Sequence, residues 1–110
     1  MAHGIPESDW KIFKELHTAA LNRCCEKTLQ EISKLAADTA KTPHQRYQEI
    51  FRYSKDRNRD IAAEFDDSRR STAVSQLTVL FASGWITASE LERLSPETRE
   101  AIGRWQPPRS

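Results

Sequence analysis

"FDDSRRSTA", residues 65–73, places two carboxylates, two guanidiniums and three hydroxyls between an aromatic residue and an alanine. The sequence on either side reads as helix, so this stretch decides whether the second half of the chain is one long helix or two shorter ones. Counted from Pro43 at about 100° per residue, Tyr47, Ile50, Phe51, Ser54, Asn58, Ile61 and Phe65 fall on one broad face. Arg69, Thr72, Ala73, Gln76, Val79 and Leu80 continue that face without a change of phase. The unbroken stripe predicts a single helix over about 43–83, near 60 Å long, stopped by Gly84 just past its C-terminus. The alternative is a cap at Asp67 or Ser68 that opens a separate helix.

The boundaries outside this stretch carry clearer signals. At 42–45, "TPHQ" sets Thr42 to cap, Pro43 at the first helical position and Gln45 to complete a capping box. Upstream, Pro6 with Glu7 and Asp9 marks another helix start. Trp10, Phe13, Leu16, Ala20, Leu21, Cys24, Leu29, Ile32 and Leu35 then recur at spacings of mostly three and four. A first helix over about 7–38, roughly 45 Å long, follows. After Gly84, "TASE" at 87–90 is a capping box and "SPET" at 95–98 puts a cap at Ser95 with Pro96 first, predicting short helices over about 88–94 and 96–103. Trp85, Leu91, Leu94, Ile102 and Trp105 would dock them. The expected fold is all-α, of helical-bundle type: two long antiparallel helices plus a short C-terminal pair, one domain over 1–105 and a flexible tail at 106–110.

The connection near residues 37–42 is short, so residue i of the first helix should face about residue 81 − i of the second. Cys24 then lies near Arg57, His17 near Glu64, and the start of the first helix near Ser68 to Ser71. Arg69 sits on the apolar stripe, where an unpaired guanidinium is costly, so it is expected to be buried against Asp9 or Trp10. Asp66, Asp67, Arg69 and Arg70, with Asp9, read as a structural charge cluster, a waist between two apolar halves of one helix. Beyond it, "AVSQLTVLF" carries apolar side chains on more than one face and must be covered from several sides. The C-terminal pair covers part. A second copy of the chain is the expected source of the rest, through Val74, Leu77, Leu80 and Phe81.

Net charge is +1, from 17 basic and 16 acidic residues interleaved along the chain, so no basic footprint of the kind that drives phosphate binding stands out. No apolar run reaches the roughly 20 residues of a membrane span, and "MAHGIPESDW" lacks the basic and apolar regions of a signal peptide, so the expected compartment is the cytoplasm. Cys24 and Cys25 are neighbours that point about 100° apart on a helix, poor geometry for a mutual disulfide, and read as reduced thiols. His17 and Cys24 share a face but stand about 10.5 Å apart along the axis, too far for one metal ion. His44 is expected to be exposed and His3 has no partner in the pattern.

The expected function is therefore non-enzymatic: a small helical interaction or adaptor module that self-associates as a homodimer, with no cofactor, metal or membrane partner. Adjacent carboxylates at 66–67 diverge on a helix, and no nucleophile, Gly-rich loop or perturbing pocket accompanies them. The alternative is a nucleic-acid-associated regulator, contacting its target through Lys55, Arg57 and Arg59 on the charged face extending to Arg70, or through Arg99 and Arg104 of a C-terminal helix-turn-helix. Glu97 and Glu100 leave that reading head nearly neutral.

Overall fold

The capping signals are followed closely by the backbone. The computed structural model describes residues 4–104, within which the chain is all-α. Helix α1 spans Glu7–Ala37 and α2 starts at Pro43. Thr42 Oγ1 accepts from the Gln45 amide at 3.1 Å while the Gln45 side chain accepts from the Thr42 amide at 2.9 Å, the reciprocal box expected from "TPHQ". The two helices pair antiparallel close to the expected register. Arg57 Nη2 lies 3.1 Å from Cys24 Sγ, and His17 Nε2 lies 3.0 Å from the Phe65 carbonyl oxygen, one residue beyond the expected Glu64.

The single helix over 43–83 is not formed. α2 ends at Phe65, residues 66–69 leave the helix, Arg70–Thr72 makes one 3-10 turn, and α3 spans Ala73–Ala82. Short polar side chains compete with the helix for its backbone partners here. Ser68 Oγ donates to the Phe65 carbonyl at 2.9 Å, and Thr72 Oγ1 accepts from the Arg69 amide at 3.2 Å while donating to the Asp67 carbonyl at 2.9 Å. Turning back also buries what a straight helix would leave uncovered. Leu77 and Leu80 are fully buried, a gain of about 1.5–3 kcal/mol each relative to exposure. The stripe kept its phase because the end of α2 and the whole of α3 face the same core, not because one backbone helix joins them.

α3 runs alongside α1 in the same direction. Its entry is held at the start of α1, where Arg70 donates to the Ile5 carbonyl and pairs with Glu7 at 3.0 Å. Its exit lies at the middle of α1, where Arg23 donates to the Trp85 carbonyl at 2.9 Å. Gly84 ends α3 at φ +85°, with the Trp85 amide bonded to the Leu80 carbonyl and the Gly84 amide to that of Phe81, as expected for a glycine stop. The chain then returns along α1 through α4, Ala88–Leu91, and α5, Pro96–Arg104. Trp105, the 106–110 tail and His3 lie outside the described residues.

All the burial is at one end. Phe13, Leu16, Ala20 and Cys24 of α1 meet Phe65, Ala73, Leu77 and Leu80, with Ile86, Leu94 and Ile102 closing over them. From Cys25 to Glu64 no residue is buried. The distal halves of α1 and α2 thus form a two-helix arm, and the molecule extends over 55 × 26 × 21 Å.

The expectation for Arg69 is corrected by the same turn. Its backbone is extended, at φ −123° and ψ 156°, and its side chain is 66% exposed and pairs with Asp67 at 2.8 Å. Arg70 is the residue that reaches the N-terminal end of α1. Arg70→Ala should cost about 1–2 kcal/mol through lost hydrogen bonds to Ile5, whereas Arg69→Ala should leave the urea midpoint nearly unmoved. Gly4, at φ +83°, tests the same contact from the other side, because a Cβ there would meet the Arg70 carbonyl oxygen at 2.2 Å. Gly4→Ala should lower stability by roughly 1–3 kcal/mol, while Gly103→Ala, with open space around it, should raise it or leave it unchanged.

Candidate functional site

The arm is the part of the fold whose apolar surface is left uncovered. At the tip, Lys41 with Glu49 ties the connecting loop to α2, and Arg46 Nη1, which donates to the Ala36 carbonyl at 2.6 Å, ties α2 to α1. Between these ties and the core, Tyr47 is 68% exposed and Phe51 61% exposed, one helical turn apart on the same side of α2. Phe51 and Lys55 form a ridge between two shallow grooves. The first, of about 400 Å³, runs between α1 and α2 past Thr28, Ile32, Ser54, Asn58 and Ile61. The second lies on the outer side of α2, bordered by Tyr47, Gln48 and Arg52. Leu29 is also exposed, but it is turned about 100° from Thr28 and stands apart from the grooves.

The charges on α2 are sorted around this ridge. Lys55 follows Tyr47 and Phe51 at helical spacing, Arg52 and Arg59 lie about a quarter turn further round beside Asp56, and Glu49 and Asp60 point to the far side. Arg57 is 3.5 Å from Asp60, Arg59 is 3.5 Å from Asp56, and Arg104 is 3.8 Å from Glu100. Arg52 and Lys55 make no ion pair among the described residues. In α5, Thr98 faces inward and is buried, leaving Glu97, Arg99 and Glu100 exposed on its first turns. The C-terminal pair expected to offer a reading head has only a single turn, four residues, in α4.

The face expected to pair two copies is occupied inside the chain. Leu77 and Leu80 are fully buried, Val74 is packed against the core, and of the four only Phe81 is exposed, at 41%. The several faces of "AVSQLTVLF" are covered, as their composition demands, but by α1, α2 and α5 of the same chain.

Of the charge cluster, Asp66 is exposed, Asp67 holds Arg69, and Asp9 belongs elsewhere. Asp9 is 2% exposed and accepts from the Ser95 amide at 2.9 Å, from Ser95 Oγ, and from Thr98 Oγ1 at 2.6 Å. Burial pushes its carboxyl up, but the bonds from Ser95 and Thr98 outweigh this and hold it below the ordinary 3.8. The anion also sits at the positive end of α5. It fastens the last helix to the first.

Other reactive side chains are held in structural roles. Ser68 Oγ lies 2.9 Å from His17 Nε2, but the same nitrogen faces the Phe65 carbonyl, so the pair secures the end of α2. His17 also packs between Phe13, whose ring is tilted to it, and Phe65, which it meets edge to face. Burial raises the Cys24 thiol above its usual range, against the opposing Arg57 guanidinium, which keeps it protonated and a poor nucleophile. Cys25 is half-buried and His44 exposed. Among the described residues no three His, Cys, Asp or Glu side chains group as metal ligands, and no helix is long and apolar enough to cross a membrane.

Two contacts had no local signal. Asp9 meets Ser95 across 86 residues, and Arg23 binds Glu90 with two parallel hydrogen bonds of 2.7 and 2.8 Å across 67. The arm face did have one, since Tyr47, Phe51 and Ile61 all lie on the stripe, but a stripe does not say what covers it. No family model, curated protein or solved structure matches the chain.

Glu90 makes the fold acid-sensitive. The Arg23 hydrogen bonds, against some burial and with help from Thr87, lower its carboxyl from 4.5 to about 2. A depressed folded value contributes stability that is complete above the unfolded 4.5 and lost as pH falls through about 2. The urea midpoint of the unmodified chain should therefore drop between these pH values. Glu90→Gln should lower stability at pH 7 and flatten that drop in part, leaving the contribution of Asp9. An unchanged slope would remove the pair from the account.

Proposed function

We propose that this chain is a non-enzymatic helical interaction module that holds a partner on the distal arm formed by α1 and α2. The observation that supports the reading is the combination of Tyr47 and Phe51, both mostly exposed, with a segment from Cys25 to Glu64 that has no buried residue. An apolar groove flanked by exposed rings is the usual form of a partner-binding surface. The rest of the fold acts as its mount. The protonated Cys24 thiol, the Ser68 hydroxyl shared with Phe65 and the Asp9 carboxylate held by three donors all support assigning the polar groups to structure rather than chemistry.

The reading separates docking from folding, which makes it testable. Phe51→Asp should keep the helix content and shift stability by no more than about 0.5 kcal/mol, as for a surface change. It should nonetheless abolish retention of any protein that the unmodified chain captures reversibly. Leu77→Glu should do the reverse of what an interface residue would do, giving an unfolded or insoluble chain instead of a folded monomer. Capture that survives Phe51→Asp, or a Leu77→Glu chain that stays folded, would contradict the assignment.

A further inference from the structure

We infer that the occupant of the arm face is an acidic amphipathic helix, a deeper claim that rests on the docking reading above. Shape comes first. The groove between α1 and α2 begins at Ile61, which is packed against the core cluster, and continues outward past Ile32 to Phe51. From Tyr47 to Ile61 is about 21 Å along the axis, or four helical turns. A helix laid there would give the distal arm the third layer that α3 gives the proximal half.

Chemistry selects the sign of the partner. The groove offers Ile32 and Ile61, with Phe51 on its ridge, to apolar side chains, while Lys55 on the same ridge and Arg52 beyond it at the second groove are cations with no ion pair among the described residues. Carboxylates flanking an apolar stripe answer both at once. A second copy does not. About a two-fold axis at Phe51, Arg52 meets Ile50 and Lys55 meets Tyr47 of the mate, which sets no carboxylate opposite either cation. A single-stranded nucleic acid could stack on Tyr47 and Phe51, but it would leave the apolar floor between the helices unused and find few free cations along four turns. Such a small contact belongs with transient interfaces, below about 1,200 Å² in total.

The test uses the full chain and three labelled probes followed by fluorescence anisotropy. They are a synthetic amphipathic helix of about 18 residues with a leucine stripe flanked by glutamates, the same peptide with lysines in place of the glutamates, and an oligothymidylate. The glutamate peptide should bind, weaken as salt is raised, and lose about tenfold or more in affinity to the R52E/K55E double variant. That variant should gain affinity for the lysine peptide, a reversal that unfolding cannot produce. Equal binding of both peptides, lost with Phe51→Asp, would overturn the acidic partner while leaving the docking face intact. No binding of either peptide, or binding indifferent to Phe51→Asp, would overturn the docking face as well. Tight oligothymidylate binding lost in R52E/K55E, or a concentration-dependent doubling of mass lost in Phe51→Asp, would replace the proposed partner with nucleic acid or with a second copy.

Discussion

The turn between Phe65 and Ala73 is the constraint on which the rest of the structure depends. Ser68 and Thr72 bind the backbone groups that a continuing helix would have used, and Arg70 fastens the turn to Ile5 and Glu7 at the start of α1. With the chain reversed there, Leu77 and Leu80 face α1 rather than overhanging it, and the core gathers at one end. Had α2 run straight on, the same two leucines would have lain beyond the reach of α1. The arm stays bare because α3, only ten residues long, is stopped by Gly84 beside the middle of α1.

Two charged contacts close the structure from the C-terminal side. The bidentate Arg23 and Glu90 pair sets α4 against the middle of α1, and Asp9 sets α5 against its beginning. They differ in kind. The Arg23 side chain is 44% exposed, so screening by water limits its contribution, whereas Asp9 is almost wholly enclosed and exists as an anion only because Ser95 and Thr98 replace its water. Removing either hydroxyl would leave a buried charge short of a partner, a more costly defect than breaking a surface pair. The long helices thus have one end clamped by polar contacts and apolar packing together, and the other held only by each other.

What could be read in the sequence was local. The boxes at Thr42–Gln45 and Thr87–Glu90 and the glycine stop at Gly84 depend on residues within a few positions of each other, and each formed as its pattern implied. The pairing of Cys24 with Arg57 was also legible, since a short connection leaves antiparallel helices little freedom of register. The turn was hidden because phase records which side faces the core, and both segments face the same one. Arg69 was misplaced by that error alone: once the helix ends at Phe65, its neighbour Arg70 takes the inward role. Asp9 with Ser95 and Thr98 could not be anticipated from spacing at all. The arm face was half legible, its residues visible in the stripe and its exposure decided by where α3 folds.

Amide hydrogen exchange on the unmodified chain tests most directly whether the fold is a clamped core with a bare arm. Amides of Leu16–Cys24 and Gln76–Leu80 should exchange only through global unfolding, with those of Asp67 and Ser68 fast. Amides of Leu29–Leu35 and Ile50–Asn58 should open at distinctly lower free energy, as a subglobal unit. Uniform protection along the whole of both long helices, or strong protection running unbroken through residues 66–69, would contradict the account.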